Sequence, residues 1–222
     1  MTAPSLIVFD VNETLSDLAG MQARFTEVGA PSSVAAAWFA ALLRDGFALT
    51  VAGENPAFAD VGRGVLRPQL AEHVEESRLD EAVEQVMAGF GGLELHPDVV
   101  AGVRELQAQG IRLVTLSNGS TAVARGLFER AGLLDCFERL LSVEDAPRWK
   151  PAPEAYAYAL EICEVSAEEA MLVAVHPWDL HGAASAGMRT AWIDRDGGTY
   201  PAHMARPDLS ARGIEHLAEL LG

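Results

Sequence analysis

A Rossmann-like α/β fold is predicted: a parallel sheet with helices on both faces and an inserted α-helical cap. In the second half of the chain, apolar runs that end in polar residues alternate with helix-period segments, and the stretch after the first run carries helical signals alone. A core of residues 1–15 and 96–222 and a cap of residues 16–95 are therefore expected.

The first run, Ser5-Leu-Ile-Val-Phe-Asp10, predicts a buried strand whose carboxyl end presents Asp10. Three more strands are expected at Ile111–Leu116, before Ser117-Asn118-Gly119; at Met171–Val175, before His176-Pro177; and at Thr190–Ile193, before Asp194. Helical periodicity fills Asp98–Gln109, Thr121–Ala131, Pro153–Glu164 and Asp179–Ala186. Ligands of such sheets bind at the carboxyl ends of the strands, so one crevice collects Asp10, Ser117, Asn118 and the His176 loop. In the cap, helices are expected over Leu18–Val28, over Val34–Leu43 with Ser33 as cap, after Asn55-Pro56, and over Asp80–Phe90. A helical insertion at that point reads as a lid.

Composition narrows the function. The 222 residues are 50% hydrophobic and 22% charged, which excludes a disordered chain. With 16 Lys and Arg against 32 Asp and Glu the formal charge is −16, and a phosphate-neutralising face for nucleic acid is not expected. A local positive site still suits a small anion, because screening acts over about 8 Å. The two cysteines, Cys136 and Cys163, form neither a disulfide framework nor a metal cluster and read as thiols of a reducing compartment. Met1–Phe9 lacks a basic region, and the apolar run Val34–Leu43 is short of the roughly 20 residues of a membrane span. A cytoplasmic protein is expected.

Lys150 is the only lysine among sixteen basic residues. An ammonium is a compact point charge where a guanidinium is a planar fork, so its single use either marks a position that needs an ammonium or is chance in an Arg-biased composition. Pro151 and Pro153 hold its backbone extended, which lets the side chain enter the crevice from a rigid loop. Asp10, in Asp10-Val-Asn-Glu-Thr14, suits either a nucleophile held ionised by a nearby cation or a turn acid. Thr14 either bonds that carboxylate or serves local structure. Ser117-Asn118-Gly119-Ser120 offers a hydroxyl, an amide and backbone N–H groups to an anion. Asp179 is either a helix N-cap or a second carboxylate that activates water. His176 and Trp178 either bring N–H groups on apolar bodies to a pocket or pack the loop, and the Tyr156 hydroxyl is expected to point back toward the Lys150 site.

These segments resemble the four motifs of the haloacid dehalogenase superfamily over nearly the whole chain: Asp10 with Thr14, Ser117-Asn118, Lys150 before proline, and a fourth loop bearing Asp179. The superfamily's phosphatases carry a second Asp two residues after the nucleophile and further acid in the fourth motif for magnesium. Here those positions hold Asn12 and Val175, so a metal-dependent phosphatase is disfavoured. The phosphonate-cleaving branch needs a cap lysine, and residues 16–95 contain none. What remains is similar to the L-2-haloacid dehalogenase (type II) subfamily, which uses no metal and no other cofactor.

The resemblance implies that Asp10 displaces halide from carbon and forms an ester, which water assisted by Asp179 hydrolyses to a 2-hydroxy acid. Lys150 would hold Asp10 anionic, Tyr156 would support the site, and Ser117 with the Asn118 N–H would bind the substrate carboxylate. Halide is a weak base and leaves unprotonated, so Asn12 at the +2 position fits this reaction. The expected partners are a small anionic haloacid, water and halide, and a homodimer is what the family suggests. The sequence departs from the subfamily in three places. Counting from Trp38, Phe39 replaces a halide-binding cap arginine, for which Arg44 is the nearest candidate. His176 replaces a halide-contacting asparagine, and Ala174 replaces a serine. Halide donors are accordingly expected from His176 and Trp178. The alternatives are a phosphate-ester hydrolase and a non-catalytic binding protein on the same scaffold.

Overall fold

The computed structural model describes residues 3–222; Met1 and Thr2, the first residues of the expected core and of the Met1–Phe9 segment, lie outside it. The chain divides into two compact units, one running up to Ser16 and resuming over Leu95–Gly222, the other Asp17–Glu94. In chain order the elements are β1 (Leu6–Phe9), α1 (Met21–Glu27), α2 (Val34–Ala52), α3 (Phe58–Leu70), α4 (Glu76–Gly91), α5 (Val99–Ala108), β2 (Arg112–Ser117), α6 (Thr121–Ala131), β3 (Arg139–Ser142), α7 (Pro153–Cys163), β4 (Ala170–Ala174), α8 (Pro177–Ser185), β5 (Arg189–Ile193), β6 (Leu209–Ala211) and α9 (Ile214–Leu221).

The first unit is built on one sheet of order β3-β2-β1-β4-β5-β6, every pairing parallel. Val8 of central β1 faces Val114 on one side and Leu172 on the other. All four β1 residues are fully buried, as an interior parallel strand covered on both faces requires. Burial of side chains this size stabilises by roughly 1.5–3 kcal/mol each. Because the strands are in register, their carboxyl ends lie along one edge of the sheet. Asp10 follows β1, Ser117 ends β2, and His176 stands two residues beyond β4.

Three elements were not anticipated: the edge strands β3 and β6 and the terminal helix α9. α9 is tied to the front of the unit by Asp98, whose Oδ2 accepts from the Ile214 N–H at 2.5 Å and whose Oδ1 accepts from Arg195 at 2.7 Å. Arg195 also donates to the Thr14 carbonyl at 2.7 Å, bracing the loop that carries Asp10.

The second unit is all-helical. α2 buries Ala35, Trp38, Phe39, Leu42 and Gly46 along one stripe, and the Trp38 indole donates to the Gly62 carbonyl at 3.0 Å. Phe25 and Phe90 pack on the Trp38 ring at centroid distances of 5.9 and 5.8 Å. Several expectations are corrected here. Ser33 precedes α2 in helical conformation and makes no side-chain cap. α2 runs past Leu43 to Ala52, because Arg44-Asp45 sit on its exposed side without interrupting the buried stripe. By length and composition its 19 residues could cross a membrane, which the shorter run Val34–Leu43 did not suggest. α4 begins at Glu76, one turn ahead of the expected Asp80, whereas α3 starts at Phe58, after Asn55-Pro56, as expected.

Candidate active site

Six residues brought to the carboxyl edge of the sheet form one hydrogen-bonded cluster within the α/β unit. Lys150 Nζ donates to Asp10 Oδ1 at 2.8 Å and to Asp179 Oδ2 at 2.6 Å. Both carboxylates and the ammonium are buried, with Lys150 and Asp179 at 0% side-chain exposure and Asp10 at 5%. Thr14 donates to Asp10 Oδ2 at 2.6 Å, and the Tyr156 hydroxyl donates to Asp179 Oδ1 at 2.6 Å. The sixth member, His176, places Nδ1 3.1 Å from Asp10 Oδ2.

Local structure explains these positions. Asp179 is not the helix N-cap considered from sequence: Pro177 sets φ for the first residue of α8, His176 takes the cap position, and Asp179 falls in the first turn. There it points inward instead of capping. Lys150 is held by a two-way clamp from Asn118, whose Oδ1 accepts from the Lys150 N–H at 3.0 Å and whose Nδ2 donates to the Lys150 carbonyl at 3.2 Å. The Asn118 side chain therefore positions the lysine, and only its backbone is left for an anion. Ser117 Oγ accepts from the Gly119 N–H at 2.9 Å, so the hydroxyl hydrogen remains to be given. Asn12 is buried beside them, its backbone bridged to Ser16.

Electrostatics separates the two acids. Burial pushes the Asp10 carboxyl up, but the Lys150 charge and the His176 hydrogen bond outweigh it and hold Asp10 far below the usual carboxylate range. For Asp179, burial wins: desolvation, reinforced by the Asp10 charge, raises its carboxyl despite Lys150. Burial lowers the Lys150 ammonium, yet Asp10 and Asp179 more than compensate, so it stays charged. Tyr156 is pushed well above the ordinary phenol value by burial and by Asp179, so it remains a donor. One acid is thus kept ionised and the other made more basic, the division that a nucleophile and a general base require.

The structure places other residues differently from the sequence expectation or reveals ones that carried no expectation. Glu13 carries no sequence signal as one acid among 32, yet its Oε2 lies 2.8 Å from His176 Nε2. His176 was expected to offer N–H groups to halide; instead both ring nitrogens meet carboxylate oxygens, leaving Trp178, which packs on the imidazole with centroids 5.0 Å apart. Gly182 on α8 admits no side chain, since a Cβ would fall 2.5 Å from the Tyr156 hydroxyl oxygen and 2.9 Å from the Pro151 carbonyl. A glycine inside a helix-period segment was the one available signal. Phe39 belongs to the helical unit, buried against Trp38 at 6.4 Å between centroids, and Arg44 there is exposed and paired with Asp45 at 2.8 Å.

Magnesium fits these residues poorly. Asn12 and Val175 stand where the phosphatase pattern has carboxylates, and the Lys150 ammonium already contacts both remaining acids. Among the described residues no group of three or more His, Cys, Asp and Glu forms a metal site.

Fold and site together define an α/β protein with a lysine-bridged carboxylate pair at the carboxyl edge of a parallel sheet. A model of the haloacid dehalogenase-like hydrolases matches residues 4–187, and the chain belongs to that family. A haloacetate dehalogenase of Moraxella sp. is 33% identical over 129 residues, 58% of this chain and 58% of that one. The match thus spans little more than half of that relative. An (S)-2-haloacid dehalogenase of Pseudomonas putida is 26% identical over 97% of this chain and 95% of its own length. Among solved structures, an L-2-haloacid dehalogenase superposes with a TM-score of 0.91 at 27% identity, covering 99% of each chain.

Proposed function

We propose that this protein is a hydrolytic dehalogenase of small 2-haloacids that works through a covalent ester on Asp10 without a metal ion. The observation that carries the reading is the buried Lys150 ammonium shared by two carboxylates whose basicities are driven apart. The names of the Moraxella and Pseudomonas relatives support the substrate class.

In the first step an Asp10 oxygen attacks the halogen-bearing carbon, a C–O bond forms, and the C–halogen pair leaves as halide. No acid is needed, because halide departs unprotonated; Asn12 at the position of the phosphatase acid is therefore no defect. In the second step water attacks Cγ of the ester while Asp179 takes its proton, and collapse breaks the Cγ–O bond to the substrate. Asp179 returns the proton to the departing alkoxide, releasing a 2-hydroxy acid. Lys150 keeps Asp10 ionised beforehand and neutralises charge between the two acids throughout. Ser117 and the Asn118 N–H bind the substrate carboxylate, and Tyr156 orients Asp179. Trp178 lines the halide side, residues 17–94 act as the cap, and the enzyme is assigned to the cytoplasm.

Halide release from L-2-chloropropionate and chloroacetate tests the reading. Turnover is expected to be unchanged by EDTA and abolished in Asp10→Asn. Activity that disappears with chelator and returns with Mg²⁺, or that survives Asp10→Asn, would overturn it.

A further inference from the structure

His176 stands between two carboxylates, with Nδ1 3.1 Å from Asp10 Oδ2 and Nε2 2.8 Å from Glu13 Oε2. Ionised carboxylates accept and do not donate, so both contacts are hydrogen bonds only if both ring nitrogens carry hydrogen. The ring is then an imidazolium, stacked on Trp178, and burial notwithstanding, Asp10 and Glu13 push it up to about 9. Glu13 occupies its place against local preference: its φ is +61°, a conformation that suits glycine better than glutamate. The His96 ring nitrogen Nε2 lies 3.0 Å from the Glu13 carbonyl, holding that turn.

The two oxygens of Asp10 are not equivalent. Thr14 Oγ1 accepts from the Val175 N–H at 3.1 Å, so its single hydrogen is committed to Asp10 Oδ2. Among the described residues Oδ2 thus receives Thr14 and His176, while Oδ1 receives only Lys150. The less engaged Oδ1 is the oxygen with lone pairs to give to carbon. Oδ2 then becomes the ester carbonyl, and it is on Oδ2 that charge collects when water adds to Cγ.

Resting on the dehalogenase reading above, we propose that Thr14 and His176 form the oxyanion hole for hydrolysis of the Asp10 ester, and that Glu13 is a positioning residue holding His176 charged and aimed at Oδ2. As water bonds to Cγ and Asp179 takes its proton, the carbonyl π pair moves onto Oδ2 between these two donors. When that pair returns, the Cγ–Oδ1 bond breaks, Oδ1 leaves with the product and takes the proton held by Asp179, and the water oxygen gives up its second proton to solvent to complete the Asp10 carboxylate. In the alkylation step the same donors stabilise the nucleophile's charge and give no help, so the benefit is confined to hydrolysis.

The test is rapid-quench halide release from L-2-chloropropionate with intact-mass detection of the Asp10 adduct, run on wild type, His176→Leu, Glu13→Gln and Glu13→Gly. The expected result for His176→Leu is a halide burst of one equivalent, hydrolysis slowed by about 10²-fold, and adduct accumulating. The Glu13 variants are expected to show the same burst and adduct with a loss of about tenfold. Glu13→Gly relaxes the positive φ, so its melting temperature is expected at or above that of wild type, separating catalysis from folding. In ¹⁵N spectra at pH 7.5 His176 is expected to show two protonated nitrogens in wild type and to lose one in Glu13→Gln. Loss of the burst without adduct, or hydrolysis unslowed in His176→Leu while wild type turns over, would overturn the oxyanion hole. Adduct in His176→Leu but in neither Glu13 variant would overturn the role of Glu13. If wild type itself releases no halide, the dehalogenase reading falls and this inference with it.

Discussion

Lys150→Met is expected to lose halide release by more than about 10³-fold and to melt roughly 6–20 °C lower than wild type. The reason is the same for both effects. Asp10 and Asp179 are buried acids that share one cation, with no bulk water to replace it. Removing one partner of a buried ion pair costs about 3–5 kcal/mol, which for a chain of this size corresponds to that thermal shift. Without the ammonium, burial and the repulsion between the two acids outweigh the remaining His176 contact and drive protons onto the acids, and a protonated Asp10 is no nucleophile. Lys150→Arg is not expected to rescue activity, because the planar guanidinium cannot occupy the point between Oδ1 of one acid and Oδ2 of the other without displacing them. Calorimetry and halide release on purified variants check both effects. A Lys150→Met protein with wild-type melting and turnover would contradict the electrostatic role given to the lysine.

Asp179→Asn is expected to separate the two half-reactions. The asparagine keeps an oxygen for the Tyr156 hydroxyl but cannot take a proton from water, a function worth about 10²–10⁴-fold. One equivalent of halide is then released per chain and turnover stops, with the substrate fragment retained on Asp10. Intact mass and peptide mapping read the outcome. Full turnover by Asp179→Asn would assign the base elsewhere, and absence of both burst and adduct would place Asp179 in the first step.

Much of this site is legible in the sequence because its members carry individual signals. Asp10 ends an uninterrupted apolar run, Lys150 is the only lysine, and prolines flank it. Glu13 carries no such mark: it is an acid in a turn of an acidic protein, and only folding brings it to a histidine 163 positions away. Gly182 gives only the weak signal of a glycine in a helix-period segment until the Tyr156 hydroxyl is seen to fill the space of its missing side chain. The alternation that betrays the central strands fails at the edges. β3 begins with exposed Arg139 and half-buried Leu140, and β6 is three residues with Ser210 outward, so neither shows the continuous apolar run of a strand covered on both faces. The reading of Asp179 as an N-cap failed because Pro177 starts the helix two residues earlier and turns the acid inward.

A single turnover in H₂¹⁸O, with enzyme in excess over L-2-chloropropionate, tests the covalent route most directly. The account predicts that the first 2-hydroxy acid released contains only ¹⁶O and that one ¹⁸O appears in the Asp10 carboxylate, located by peptide mass spectrometry. ¹⁸O in that first product with none in Asp10 would mean that water attacks the halogen-bearing carbon itself, and would contradict it.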